Sequence, residues 1–297
     1  MSQAIRICLL GFGEVGQTLA ADFLAAGFSQ LVAYDVLFKR PDSAPSHAAI
    51  AAGVRIARDA REAVADADLI VSAVTAAQDL AAAGSVAGGI TRRTYYLDVN
   101  SVSPGMKVQA AAIIDQAGGR YVEAAIMSPI SPNRVASPIL LGGPHAAEFL
   151  TFAKPLGFTG AELFSEEIGR ASAAKMCRSV VIKGMEALVT ESLITARHYG
   201  VESTVLDSLK SLFPAANWSS LARYMISRSL IHGRRRAEEM REVARTVAEA
   251  GIEPHMSAAS AQRQDWAAKF PEAASLDELE AMLDAMLASV RAEKTSC

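Results

Sequence analysis

Residues 7–16, ICLLGFGEVG, are an apolar run that ends in three closely spaced glycines. Residues 5–10 are short, aliphatic and β-branched at Ile5 and Ile7, the composition of a parallel strand buried on both faces. Gly11, Gly13 and Gly16 make G-x-G-x-x-G, a weak signal alone in a chain rich in alanine and glycine. The context strengthens it. QTLAADFLAAG follows, with Leu19, Ala20, Phe23 and Leu24 at helical spacing and Gly27 as a stop. LVAYD then reads as a second strand ending in Asp35, 19 residues after Gly16. An ordinary strand–helix turn with incidental glycines is the simpler alternative, but the complete order of strand, glycine turn, helix, strand and acid favours a dinucleotide-binding unit. Gly11 then permits the tight turn, Gly13 admits a pyrophosphate and Gly16 lets the helix pack against the strand. The loop of Gly11, Phe12, Gly13, Glu14, Val15 and Gly16 is the expected phosphate cradle, opening on the N–H groups of a helix N-terminus. Asp35 is the expected carboxylate for the adenosine ribose, which favours NAD, with NADP as the alternative because Lys39 and Arg40 follow closely.

The chain has 297 residues, enough for two domains and a large core. Its 51% hydrophobic and 21% charged residues are those of a soluble globular protein. A net charge of −3 gives no electrostatic case for nucleic acid or an anionic membrane, and no apolar run approaches a membrane span. Cys8, Cys177 and Cys297 are scattered and odd in number, suggesting neither a disulfide framework nor a zinc site, and five scattered histidines add no metal-ligand spacing. No metal is expected, and a cytoplasmic location is.

Strand and helix patterns alternate along residues 1–166. Strands are expected at 54–57, at a buried run ending with Val74 and Thr75, at 95–99, in RYVEAAIM and SPILLGG, and near 161–164. Helices are expected near 59–67, from Pro104 to Ala117, and at 145–156. The fold class is therefore α/β: an N-terminal Rossmann-type, doubly wound sheet, followed by an all-α C-terminal domain over residues 167–297. A single helix of some thirty residues, ended by Gly200, opens that second domain, and four or five more follow. The last begins with Ser275 and Glu278 as an expected capping box and keeps Leu276, Leu279, Met282, Leu283, Met286 and Leu287 on one face. The tail, residues 293–297, is expected to fray.

At about 100° per residue, Lys175, Ser179, Ile182 and Glu186 share a stripe of the long helix, with Arg178 on its edge. Cys177 points away from that stripe and reads as a small core residue. Further on, His232, Gly233 and three arginines from Arg234 to Arg236 have two readings. In one, the arginines pair with Glu238, Glu239 and Glu242 on an exposed helix. In the other, His232 and one arginine, with Arg234 the candidate, hold a substrate carboxylate.

This arrangement resembles the 3-hydroxyacid (β-hydroxyacid) dehydrogenase superfamily, which includes 6-phosphogluconate and 3-hydroxyisobutyrate dehydrogenases. The glycine turn is matched by Gly11, Gly13 and Gly16. The superfamily's D-x-S-T-x-x-P segment is similar to DVNSVSP, with Asp98, Ser101 and Pro104 in place and Asn100 where serine is frequent. The resemblance implies that Asn100 and Ser101, with Val74 and Thr75 at the end of the preceding strand, complete the cofactor site. The G-x-x-G-x-x-x-K-x-x-x-N helix resembles GRASAAKMCRS, placing Gly169 and Lys175 in register and Ser179 at the asparagine position. It implies Lys175 as general acid–base and Ser179 as a substrate residue. The D-A-P-V-S-G-G substrate loop corresponds to EAAIMSP, which puts Met127, Ser128 and Pro129 where serine and two glycines stand and implies a different substrate pocket. KGMEAL and HGRRRAEEM resemble a poorly characterised, phosphogluconate-dehydrogenase-like branch.

The resemblance implies an NAD(P)-dependent oxidoreductase that interconverts a small 3-hydroxy acid and its oxo form, with substrate between the two domains. It also implies a homodimer, a small-molecule hydroxy-acid partner, and neither nucleic acid nor membrane. As base, Lys175 must be neutral, which burial or a neighbouring cation such as Arg178 promotes. An imine reductase of related fold and a non-catalytic NAD(P)-binding sensor are the alternatives.

Overall fold

The computed structural model describes residues 5–211, 214 and 217–295. Positions 296 and 297, with Cys297 and the end of the expected frayed tail, lie outside them. The chain divides into two compact units, Met1–Met176 and Cys177–Cys297.

Among the described residues, the first unit is built on eight strands: β1 (Ile7–Leu10), β2 (Leu31–Tyr34), β3 (Arg55–Ile56), β4 (Leu69–Ser72), β5 (Tyr95–Asp98), β6 (Arg120–Ile126), β7 (Ile139–Gly142) and β8 (Ala161–Ser165). They form one sheet in the order β3-β2-β1-β4-β5-β6-β7-β8. Every pairing is parallel except β6 with β7. The connecting helices are α1 (Glu14–Ala25), α2 (Ala44–Ala51), α3 (Ala60–Val64), α4 (Asp79–Val86), α5 (Pro104–Gln116) and α6 (Ala146–Ala153).

The unbroken apolar runs of the central strands follow from this layering, because both faces of the sheet are covered. Ile7 and Leu9 enter one core with Phe23, Val71 and Leu97. Cys8 and Leu10, alternate residues of the same strand, enter the other with Ile70, Tyr96 and Ile114. Each such aliphatic side chain contributes about 1.5–3 kcal/mol by leaving water. Side chains close several helix starts: Ser43 caps α2, Asp59 caps α3 and Ser103 caps α5.

The division between the units falls inside α7 (Arg170–Tyr199), the expected thirty-residue helix. In the second unit follow α8 (Glu202–Leu209), α9 (Trp218–Glu249), α10 (His255–Ala267) and α11 (Leu279–Thr295). Their core gathers Leu193, Trp218, Ile226, Leu230, Phe270, Met282, Leu283 and Met286. Of the apolar face expected on the last helix, Leu279, Met282, Leu283 and Met286 are buried and Leu287 half-buried, while Leu276, also half-buried, lies ahead of the helix; the expected capping box is not formed. Pro271 opens a 3-10 turn, Pro271–Ser275, that takes up Ser275, whose hydroxyl donates to the Glu272 carbonyl at 2.8 Å. The helix starts only at Leu279, and Glu278 supplies its carbonyl to the Met282 N–H. Cys177 is also a correction: it is exposed, because the side of α7 opposite the stripe faces solvent.

Candidate cofactor and catalytic site

The loop after β1 is shaped by close approach. Gly11 has φ +96, and a Cβ there would overlap the Ala73 carbonyl at the end of β4. A Cβ on Gly16 would overlap the Gly11 carbonyl, so α1 folds tightly back on the turn. Gly13 differs: a Cβ on it would meet no protein atom within 4 Å. Gly13 is the N-cap of α1 and offers no side chain to the helix's leading N–H groups. Open space, unsatisfied donors and a positive helix end fit a pyrophosphate. Phe12 turns its ring into the core, 5.9 Å from that of Phe38, while Glu14 is exposed and Val15 half-buried.

Asp35 ties this loop to β2. One carboxylate oxygen accepts the Phe12 N–H and the other accepts the Leu37 N–H, both at 2.8 Å. Each oxygen keeps a lone pair for a ribose hydroxyl. Two more loops reach the same end of the sheet. Val74, half-buried, and Thr75, exposed, follow β4, and Asn100 and Ser101 follow β5. Asn100 joins them: Oδ1 accepts the Val74 N–H at 2.7 Å, and Nδ2 donates to Ser72 Oγ at 2.9 Å and Asp79 Oδ1 at 2.7 Å. Its side chain is thereby committed to shaping the loops, and Ser101 is left half-buried beside it.

Beneath these loops lies a buried polar cluster to which the sequence reading gave no role. Lys107 Nζ sits 2.8 Å from Asp98 Oδ1 and 2.9 Å from the Asp98 carbonyl. Asp98 Oδ2 accepts the Tyr121 hydroxyl at 2.7 Å, and Oδ1 accepts the Asn100 N–H. Burial, together with the Asp98 charge, pushes the Asp79 carboxyl up to about 7, against the opposing pull of Lys107 and Asn100. Burial also raises Glu123, on β6, whose charge is favoured by Lys107 and by two backbone N–H donors.

Those two donors belong to the start of α7. Glu123 accepts the N–H groups of Gly169 and Ser172, and Ser172 Oγ donates to the carbonyl of Val102, in the loop after β5. Lys175, three residues past Ser172, is half-buried. Met127 and Ser128 are half-buried and Pro129 exposed, directly after β6; the Met127 N–H donates to Pro138.

The remaining assigned residues belong to the second unit. Ser179 is buried, His232 half-buried and Arg234 exposed. The expected pairing of three arginines with glutamates of the same helix holds for Arg235, which meets Glu239 at 2.6 Å. Arg236 instead forms a buried pair with Glu186 of α7, and Glu242 pairs with Arg245. Lys183 and Glu239 add a second bridge between α7 and α9 at 2.5 Å. Among the described residues no helix is long and apolar enough to cross a membrane.

A doubly wound sheet with a glycine turn, an acid after β2 and loops converging at the carboxyl ends of the strands defines a dinucleotide-binding protein. Residues 6–161 match the NAD binding domain of 6-phosphogluconate dehydrogenase, and residues 196–267 match a domain of unknown function, DUF1932. The first match spans more than half of the chain, and the chain belongs to that family of NAD-binding proteins. Over 96% of both chains it is 34% identical to a conserved hypothetical protein from Sinorhizobium meliloti, with a TM-score of 0.75. It is 31% identical, over 89% of its own length and 97% of the other, to a conserved protein of unknown function described as structurally similar to 3-hydroxyacid dehydrogenases, with a TM-score of 0.69. It is also 25% identical to an NAD-dependent L-serine dehydrogenase of Pseudomonas aeruginosa, over 72% of each chain.

Proposed function

We propose that the protein is an NAD-dependent oxidoreductase that interconverts a small 3-hydroxy acid, or a related β-hydroxy compound, and its oxo form, with Lys175 as general acid–base. One observation carries this reading. The start of α7 is fastened through Ser172 to the loop after β5, the same end of the sheet as the glycine turn, so Lys175 follows at the cofactor end of the first unit. When bound, NAD supplies the hydride acceptor. Neutral Lys175 takes the hydroxyl proton on oxidation and returns it on reduction. Residues 127–129 shape the substrate pocket, and their bulk sets it apart from a serine–glycine–glycine loop. On residue chemistry alone, the Ser179 hydroxyl, His232 imidazole and Arg234 guanidinium are assigned to substrate recognition. Residues 1–166 act as the dinucleotide-binding domain, and residues 167–297 as the substrate and dimerisation domain of a cytoplasmic homodimer.

The test is a screen of the purified chain with NAD against 3-hydroxy acids and β-hydroxy amino acids, L-serine first because of the Pseudomonas relative. The expected result is saturable NADH formation with at least one compound. Tight NAD binding with no turnover of any of them would favour the non-catalytic sensor.

A further inference from the structure

Glu123 sits within β6 with none of its surface exposed. Its carboxylate is spent on backbone: Oε2 accepts the Gly169 N–H at 2.7 Å and Oε1 accepts the Ser172 N–H at 2.6 Å. N–H groups in the first turn of a helix have no partner within it, so a carboxylate here satisfies donors and offsets the positive helix end. A local serine does this for α5 through Ser103. For α7 the acceptor instead comes from a central strand, 46 and 49 residues away. The neighbouring strand makes room for it: opposite Glu123 in the register stands Gly142, where a Cβ would collide with Glu123 Oε2. Lys107, Asp98 and Tyr121 are the ionisable groups that surround this carboxyl.

Two bonds to N–H groups three residues apart fix both the height and the rotation of a helix. The Ser172 hydroxyl adds a third point, on the Val102 carbonyl. Lys175 lies three residues beyond Ser172, on the same face and less than one turn away. We propose that Glu123 is the positioning residue for Lys175, holding the first turn of α7 on the sheet so that the lysine stands at a fixed place and in a fixed field. The inference rests on the reading of Lys175 as general acid–base. It adds that the aim of the lysine is set from β6.

The test needs no substrate. The full chain is acylated with N-hydroxysuccinimidyl acetate at a fixed, mildly alkaline pH, and labelling of Lys175 relative to exposed Lys154 is read by peptide mass spectrometry. Glu123→Gln removes the charge and turns an amide N–H₂ toward one of the two donors. It is expected to change the Lys175 to Lys154 ratio by about threefold or more, the size of half a unit in pKa. Phe149→Leu, a core change on α6 whose ring packs on Tyr95, Phe152 and Phe158, is the control for stability loss and is expected to leave the ratio unchanged. A folded Glu123→Gln protein with the parent ratio, or an equal change in Phe149→Leu, overturns the proposal. Should Glu123→Gln not fold, Glu123→Asp, which keeps the charge but draws it back from the Gly169 and Ser172 N–H groups, carries the same expectation and the same refutation. If instead Lys175→Met retains turnover, the catalytic reading fails while the labelling result stands.

Discussion

Lys107 and Asp98 form an ion pair from which water is excluded, with Nζ 2.8 Å from Oδ1 and side-chain exposures of 1% and 0%. The pair clamps α5 to β5 directly below the loop that carries Asn100 and Ser101. Such a pair gains little over a well-packed apolar one, but breaking it strands a charge. Lys107→Met is expected to lose about 3–5 kcal/mol in urea unfolding, and Lys107→Met with Asp98→Asn less than the sum of the two single changes. A loss below about 1 kcal/mol in the single variant would show that Asp98 finds another partner.

Asp79 gives the stability a pH dependence of known sign. Its carboxyl is pushed up to about 7 by burial and by Asp98, above the ordinary carboxylate range. A raised native value means that its contribution is fully present below about pH 4 and is lost as pH rises through about 7. The parent protein is expected to lose on the order of a few kcal/mol more than Asp79→Asn between about pH 5 and pH 8. Parallel slopes for the two proteins would remove Asp79 as the titrating group.

The glycine turn, the acid after β2 and the change to an all-helical second unit were legible because each depends on local pattern. Lys107 was legible in principle, since it stands at i, i+3, i+4 and i+7 with Ala110, Ala111 and Ile114, all of them buried. A lysine in that register announces a buried partner, though not which one. Glu123 was not legible: its partners are N–H groups more than forty residues away, and backbone donors leave no mark in a sequence. The misplaced capping box has a local cause, because a serine three residues before a glutamate satisfies the pattern even where a proline-led 3-10 turn claims it first. Arg236 looked like its two arginine neighbours, and only its pairing with Glu186 of α7 separates a buried guanidinium from exposed ones.

Asp35 is expected to set the choice of cofactor. Its carboxylate, held by the Phe12 and Leu37 N–H groups, is expected to accept ribose hydroxyls and to repel a 2′-phosphate. Isothermal titration should show tighter binding of NAD than of NADP. In Asp35→Ser the preference narrows, and NAD affinity itself falls because the Phe12 N–H loses its acceptor. An NADP preference in the parent protein would place the specificity elsewhere, with Lys39 and Arg40 the first residues to examine.

Met127 stands where a substrate loop would carry serine, half-buried at the end of β6. Met127→Ser is expected to reorder the hydroxy acids accepted in the screen while leaving the dissociation constant for NAD unchanged. A lower melting temperature with the same order of substrates would assign Met127 to packing alone.

The mechanism stands or falls on Lys175. Lys175→Met keeps the length of the side chain and its helix propensity while deleting the ammonium group, and the ties that hold the first turn of α7 run through Gly169 and Ser172, which it leaves intact. Folding should therefore survive. Loss of a positioned general acid–base costs about 10²–10⁴ in rate, and that loss is expected in kcat with the 3-hydroxy acid identified by the screen. NAD affinity should stay near the parent value, because the glycine turn and Asp35 are untouched. Cys177→Ala, an exposed change two residues along the same helix, controls for disturbance of α7 and is expected to behave as the parent. A folded Lys175→Met protein with near-parent kcat would refute the lysine mechanism. The general acid–base would then have to be sought at His232, since Glu186, also on the stripe, is committed to its buried pair with Arg236.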